Sequence, residues 1–280
     1  MSPVGHAVCG PGSRTFGELG TVVKHYVALG SSMAAGPGIR PAVPGSPRAA
    51  GRSVLNYPHL VAHALGLDLV DVTFSGATTA HLLTERQHGV PPQLEALDGS
   101  EALVTITIGG NDVGYVPMLM AAALLPRAAR LLAPVGTLFD QRERQQALDG
   151  VESSLRAVGT AVRHRAPQAR VLFVDYLTLM PPAGSRAGRL PEPVVELARH
   201  IATELEGHTA TAAAATGCEI VRAGKASREH HPWSAQPWTV GARLPLPWRP
   251  WPFHPNAAGM AAVAELVVAR WAGSPRAFAR

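Results

Sequence analysis

The stretch VALGSSMAAGPG, Val27–Gly38, joins an apolar run to a glycine-bounded turn that carries two serines. The apolar residues predict a buried strand, and Gly30 permits a sharp turn after it. Ser31 or Ser32 would then begin the next segment, with its hydroxyl at the top of a sheet beside backbone N–H groups that can bind an oxyanion. Because glycine and serine are also ordinary turn residues, the stretch alone leaves both readings open.

Apolar, β-branched runs like this one recur along the chain and alternate with helix-like segments. The strand-like runs occupy residues 22–29, 67–74, 102–108, 170–177 and 218–223. The helix-like segments occupy residues 53–66, about 141–164, 193–217 and 256–273. This alternation implies parallel pairing and predicts an α/β fold, a three-layer α/β/α sandwich. Binding chemistry then belongs at the carboxyl ends of the strands.

Two regions depart from the alternation. Residues 115–139 are apolar and interrupted by prolines, and they predict either helix core or a mobile cover over a cleft. Residues 230–256 are rich in proline and hold four of the five tryptophans, whose need for burial favours an ordered loop. No internal repeat or linker divides the chain, so we expect a single domain over residues 1–280, with an irregular N-terminal segment at 1–20.

Composition narrows the function classes. The 280 residues are 46% hydrophobic and carry 25 basic against 20 acidic side chains, with the arginines scattered along the chain. The scattered arginines do not favour a nucleic-acid partner. Stable membrane insertion is not expected, because no apolar run reaches the roughly 18 residues of a membrane helix. With no secretory leader visible, we expect a cytoplasmic location, and export stays open.

Cysteine and histidine spacing predicts neither a disulfide framework nor a metal site. Cys9 and Cys218 are expected to be structural thiols, and whether they pair is left open. The histidines lack the spacing of metal ligands, and the nearest approach, EHH at residues 229–231, lacks a third partner. We expect no metal and no organic cofactor.

Three further motifs carry groups suited to chemistry. FSGATT places Gly76 after the second predicted strand, TIGGNDVGY places Asn111 after the third, and FHPN places His254 before the last helix. Each is compatible with ordinary turn or cap chemistry when taken alone. Together with the serines, they supply the nucleophile, the oxyanion donors and the base of an acyl-transfer site.

The ordered set GSSMAAG, SGAT, GGND and HPN, from Gly30 to Asn256, resembles the SGNH, or GDSL, hydrolase family of esterases and lipases. The resemblance implies a flavodoxin-like, five-stranded parallel sheet and a serine hydrolase that cleaves carboxylic esters through an acyl-enzyme. The family's first block is Gly-Asp-Ser, so Ser32 takes the nucleophile's place. Ser31 replaces the aspartate and is expected to support the turn by a bond from its side chain to the backbone.

The same resemblance assigns the oxyanion hole to the Ser32 N–H, the Gly76 N–H and the Asn111 side chain. It assigns the role of base to His254. The expected substrate is then a small-molecule ester, with a lipid and an acylated glycan as candidates. Two alternatives are a carbohydrate O-acetyl esterase acting at this site and a non-catalytic lipid or glycan binding module on the same fold. The acyl length, the alcohol and the oligomeric state are not fixed by the sequence.

One position departs from the family pattern in a way that affects the mechanism. The family places an aspartate three residues before the histidine, where this chain has Trp251. An indole has no acceptor, so we predict that the backbone carbonyl of Trp251 accepts the Nδ1–H of His254 and that the enzyme works as a Ser-His dyad. The alternatives are a triad completed by a remote acid such as Glu229, or loss of activity.

Overall fold

The computed structural model describes residues 24–126, 128–131, 135–244, 246 and 248–273. These residues contain a five-stranded sheet in the order β2-β1-β3-β4-β5, with every pairing parallel. The flavodoxin-like α/β fold predicted from the sequence is confirmed. The strands are β1 (His25–Gly30), β2 (Asp68–Asp71), β3 (Glu101–Thr107), β4 (Arg170–Val174) and β5 (Glu219–Val221).

Helices cover both faces of the sheet. Those of the described residues are α1 (Ser32–Ala35), α2 (Tyr57–Leu65), α3 (Thr79–Leu83), α4 (Tyr115–Leu124), α5 (Gln141–Arg165), α6 (Glu192–Ala215), α7 (Ala223–Ala226) and α8 (Ala257–Ala272). Three helices are preceded by an N-cap residue whose side chain accepts a backbone N–H of the first turn. Each cap satisfies a donor that the helix itself leaves unpaired. These caps are Asn56 for α2, Asp140 for α5 and Asn256 for α8.

The strands are apolar on both faces, and successive residues point to opposite layers. On β1, Val27 and Leu29 join a core cluster with α5 and α6, whereas Tyr26 and Ala28 join a second cluster with α2 and α8. The same alternation holds along β4. The sheet is therefore the middle layer of a sandwich, and its open carboxyl edge is where the loops after β1, β2 and β3 meet.

The two irregular regions differ in outcome. Residues 115–124 form α4, whose buried side chains place it in the core, and short 3-10 turns follow at Ala129–Leu131 and Val135–Phe139. In the 230–256 segment, Trp238 stacks on His230, with ring centroids 4.0 Å apart, whereas Trp248 is exposed. The predicted segment at 1–20 lies outside the described residues, so the single-domain organisation stays a prediction.

Candidate active site

Ser32 lies at the carboxyl end of β1, between the ends of β2 and β3. Gly30 has a φ of +151°, and a Cβ at this position would lie 2.5 Å from the carbonyl oxygen of Thr107, so the turn requires glycine. The N–H of Ser31 donates to the same oxygen at 2.9 Å, and α1 begins at the next residue. Backbone pairing thus sets the position of Ser32, and this residue is only 6% exposed.

His254 is brought to this serine from the other end of the chain. Its Nε2 lies 2.8 Å from Ser32 Oγ. The main chain around the histidine pairs with Val240, which accepts from the Phe253 N–H at 2.8 Å and donates to the His254 carbonyl oxygen at 3.0 Å. His254 is 2% exposed, so the Ser-His contact lies in an environment with little water.

The other ring nitrogen, Nδ1, lies 2.7 Å from the carbonyl oxygen of Pro252. The prediction that the Trp251 carbonyl holds the ring was therefore wrong by one residue. Phe253 has a φ of +56°, in the left-handed region, and this turn directs the carbonyl two residues before the histidine toward its own ring. Trp251 instead sets its indole edge-on to the imidazole, with ring centroids 5.9 Å apart.

These contacts fix the protonation of His254. A carbonyl oxygen can only accept, so Nδ1 carries the proton and Nε2 presents a lone pair to which the Ser32 O–H donates. Burial lowers the pKa of His254 to about 4, and the hydrogen bond to Pro252 opposes this shift only in part. At neutral pH the ring is consequently an uncharged base.

Within the described residues, no carboxylate hydrogen-bonds His254. Glu229, the remote acid considered from the sequence, lies near His231: burial lowers the pKa of His231, and the Glu229 charge opposes that shift. The geometry is that of a serine–histidine pair with a main-chain acceptor.

The oxyanion donors predicted from the sequence stand on neighbouring loops. Within the described residues, the N–H groups of Ser32 and Gly76 donate no hydrogen bond, and Gly76 has a φ of +81°. The Asn111 Nδ2 donates to the carbonyl oxygen of Ala77 at 2.8 Å, which ties the loop after β3 to the loop after β2 and leaves its second N–H for a ligand. Donors with no partner at a sheet edge suit an anion that forms there.

Tyr176, after β4, is a site residue that the sequence analysis missed. Its hydroxyl lies 3.0 Å from Ser31 Oγ and accepts the Gly110 N–H at 3.1 Å, so it joins the nucleophile loop to the Asn111 loop. Burial raises the pKa of Tyr176 to about 12, so the phenol stays protonated, and either hydroxyl can donate in its bond with Ser31. The expected bond from the Ser31 side chain to the backbone is replaced by this tertiary contact. The available signal was a polar residue at the end of a predicted strand.

Asp112, which follows Asn111, has a structural role. Its carboxylate accepts the backbone N–H of Thr79 at 3.0 Å and the Thr79 hydroxyl at 2.5 Å. These bonds fasten the start of α3 to the loop after β3. Burial raises the pKa of Asp112, and the bonds from Thr79 oppose that shift.

Groups of three or more histidine, cysteine, aspartate or glutamate side chains suited to a metal ion do not occur among the described residues. Cys218 is buried, and its thiol lies 3.3 Å from the Thr216 hydroxyl. Cys9 lies outside the described residues, so the pairing question stays where the sequence left it.

The sheet is flavodoxin-like, with a serine at the end of β1, a histidine before the last helix and unpaired amide donors between them. These features define the SGNH-hydrolase class of α/β protein. Comparison with known proteins agrees. Residues 28–262 match the GDSL-like Lipase/Acylhydrolase family, and the chain belongs to this family. It is a carboxylic ester hydrolase by class.

Similar proteins include lipases and a phospholipase from Streptomyces. Lipase 2 of Streptomyces coelicolor is 34% identical over 256 residues, covering 86% of this chain and 83% of that protein. The extracellular lipase of Streptomyces rimosus has a crystal structure with a TM-score of 0.73 at 27% identity, covering 89% of this chain and 100% of that one. Phospholipase A1 of Streptomyces albidoflavus NA297 gives a TM-score of 0.72 at 25% identity, covering 89% and 99%.

Proposed function

We propose that this chain hydrolyses acyl esters of lipids through an acyl-enzyme on Ser32, with His254 as the base and no carboxylate partner. The observation that carries the proposal is the relay of two hydrogen bonds, 2.8 Å from Ser32 Oγ to His254 Nε2 and 2.7 Å from Nδ1 to the Pro252 carbonyl.

The steps follow from the tautomer. As the Ser32 oxygen attacks the ester carbonyl carbon, its proton passes to Nε2 of His254. The carbonyl oxygen becomes an oxyanion that the N–H groups of Ser32 and Gly76 and the amide of Asn111 stabilise. Nε2–H then protonates the leaving alcohol, and the acyl group stays on Ser32. Water, deprotonated by the same nitrogen, releases the acid and restores the serine.

The neutral acceptor has an energetic consequence. The Pro252 carbonyl holds the same tautomer that a carboxylate would, but a dipole stabilises the imidazolium less than an anion does. The oxyanion donors therefore carry a larger share of the transition-state stabilisation. The base is almost fully buried, and the substrate must still reach it. We expect the bound substrate to exclude the remaining water from the Ser32–His254 pair.

Two observations favour a lipid over an acylated glycan. The relatives above are named as lipases and as a phospholipase A1. The 230–256 segment also exposes large apolar side chains: Leu244 is 75% exposed and Trp248 is 63% exposed. Exposed apolar groups on the segment that carries the base suit an enzyme that meets an apolar interface.

The location of the activity stays a prediction. None of the helices in the described part of the chain has the length and apolar character required to span a bilayer. One similar structure is that of an extracellular lipase. Together with a lipid substrate, this favours action outside the cell over the cytoplasmic location expected from the sequence, and fractionation of the native host would separate the two.

A fluorophosphonate probe tests the proposed chemistry, since only an activated serine becomes covalently labelled. We expect labelling of the wild-type chain at Ser32, and none in Ser32→Ala. A panel of p-nitrophenyl esters of graded acyl length, with acetylated xylose as the glycan arm, then tests the substrate class. Labelling of Ser31 would refute the nucleophile assignment, and no labelling with a folded chain would indicate a binding module. The lipid proposal would be overturned if acetate were released from the sugar faster than the acid is released from any of the p-nitrophenyl esters.

A further inference from the structure

A groove of about 890 Å³ is lined in part by the 230–256 segment, which also carries His254. Its wall includes Val240, the residue whose main chain pairs with His254, so the groove adjoins the element that carries the base. The end of α4 also lines the groove, and the size is within the range of small-ligand sites. The lining surface is about equally polar and apolar, and its apolar part includes Ala122, Ala123, Leu124, Leu190, Trp233 and Leu244.

The charged side chains of this groove all have the same sign. Arg130, Arg189 and Arg243 line it, and no aspartate or glutamate is among its lining residues. Within the described part of the chain, no ion pair joins any of the three to a carboxylate. Arg130 uses its Nε–H on the Leu125 carbonyl oxygen, which leaves the end of its guanidinium for a ligand.

Arg243 is the most informative of the three. Its Nε is buried and has no hydrogen-bond partner among the described residues. Burial lowers the pKa of Arg243, and the like charge of Arg249 lowers it further. A half-buried guanidinium beside a second cation, with no acid to balance it, is a site that an anion would stabilise.

We propose that this groove binds the headgroup end of an anionic phospholipid, with the phosphate at the guanidinium groups of Arg130, Arg189 and Arg243 and the apolar chain against the remaining walls. The proposal rests on the lipid ester hydrolysis proposed above and names the substrate class for that site. Guanidinium groups bind phosphate oxygens with two parallel donors, which lysines do not match.

The chain that follows Arg243 agrees with a lipid surface as the source of this ligand. Leu244 and Trp248 are largely exposed, and Arg243 and Arg249 are their sequence neighbours. Apolar side chains interleaved with cations fit a membrane surface of negative charge, where the apolar groups enter the interface and the cations are attracted to the anionic lipids.

Binding tests the groove independently of catalysis. The Ser32→Ala chain is titrated with non-ionic detergent micelles that contain either phosphatidylglycerol, which is anionic, or phosphatidylcholine, which is zwitterionic, with the same acyl chains. We expect about tenfold tighter binding to the anionic micelles, the effect of about one charge-assisted hydrogen bond. Adding Arg243→Gln or Arg189→Gln should reduce this preference to about twofold or less. The preference should also fall between 0.1 M and 1 M salt, since the screening length shortens from about 10 Å to about 3 Å.

Arg156→Gln is the matched control. Arg156 lies on α5, where it pairs with Glu152, so the substitution removes the same charge at a position that does not line the groove. We expect it to keep the full preference. Equal binding to both micelles, or equal losses in Arg156→Gln and Arg243→Gln, would overturn the groove proposal. Because these measurements use an inactive chain, they are unaffected if the Ser32 chemistry fails in the labelling experiment. With the active chain, the ratio of kcat/KM for the two lipids should follow the binding ratio.

Discussion

The two sides of the candidate site are built in different ways. Ser32, Gly76 and Asn111 stand on loops that leave adjacent parallel strands, and backbone pairing fixes where those loops begin. His254 comes from the 230–256 segment, in which main-chain pairing with Val240 and an isolated bridge between Thr239 and Pro255 replace a sheet. The sheet therefore fixes the nucleophile side, whereas the position of the base depends on local turn geometry.

Loss of the nucleophile is expected to have the largest effect. Ser32→Ala should lower kcat by roughly 10,000-fold or more, because no other group can form the acyl-enzyme. The measurement is kcat on p-nitrophenyl butyrate, with circular dichroism to show that the chain is folded. The matched control is Ser31→Ala, which loses only the bond to Tyr176 and should keep a substantial share of activity. An inactive Ser31→Ala with an active Ser32→Ala would reverse the assignment.

Removing the base probes the other side of the comparison. His254→Ala should lower kcat by roughly 1,000-fold or more, whereas Trp251→Ala should cost only about tenfold, since it removes an edge-on packing contact and leaves the Pro252 carbonyl in place. Glu229→Gln should leave kcat nearly unchanged. A folded Asp or Glu variant that loses about 1,000-fold in kcat would establish a triad with a displaced acid.

The oxyanion hole tests the nucleophile side without touching the nucleophile. Asn111→Ala should lower kcat by roughly 100-fold to 1,000-fold with little change in KM, because the amide acts mainly on the transition state. Asp112→Asn is its neighbour control. It weakens the bonds to Thr79 and should lower the thermal unfolding midpoint more than it lowers kcat. Near-native kcat in Asn111→Ala would remove that side chain from the hole.

Tyr176 tests how far the nucleophile side depends on a cross-link between its loops. Tyr176→Phe removes the bonds to Ser31 and Gly110, so we expect about a tenfold loss of kcat and about 1–2 kcal/mol of stability. Tyr115→Phe is a matched variant, because the Tyr115 hydroxyl is also buried but has no partner among the described residues. It should be close to neutral in both measurements. Equal effects of the two substitutions would show that Tyr176 acts by packing alone.

The same contrast explains what could be predicted from the sequence. Buried strands are read from apolar runs, and parallel pairing brings their carboxyl ends together, so Ser32, Gly76 and Asn111 could be assigned to one edge in advance. The partner of His254 could not be assigned correctly. It depends on the left-handed conformation of Phe253, which the prolines around it do not dictate. Tyr176 was missed because a tertiary hydrogen bond between distant loops leaves no periodic pattern.

The smallest expected effect is the response to mild acid, and it is the sharpest test of the base. The folded pKa of His254, about 4, lies below its ordinary value, so the neutral base persists as pH falls. We expect kcat/KM on p-nitrophenyl butyrate to change less than about twofold between pH 8 and pH 6. An unshifted histidine with a pKa of about 6.5 would lose roughly three quarters of its neutral form by pH 6.

Acid also lowers the stability of the fold, because the unfolded chain binds a proton on His254 at higher pH than the folded chain does. His254 therefore contributes stability that is present above about pH 6.5 and is lost as pH falls toward about 4. For this reason the profile is measured with circular dichroism at each pH, and only folded samples are used. Trp251→Asp sharpens the result, because it puts a carboxylate where the family has one. If that carboxylate reaches the ring, it raises the pKa of His254 and moves the acid limb to higher pH. A wild-type limb centred well above pH 6.5, with the fold intact, would mean that an anion supports the imidazolium and that the dyad is wrong.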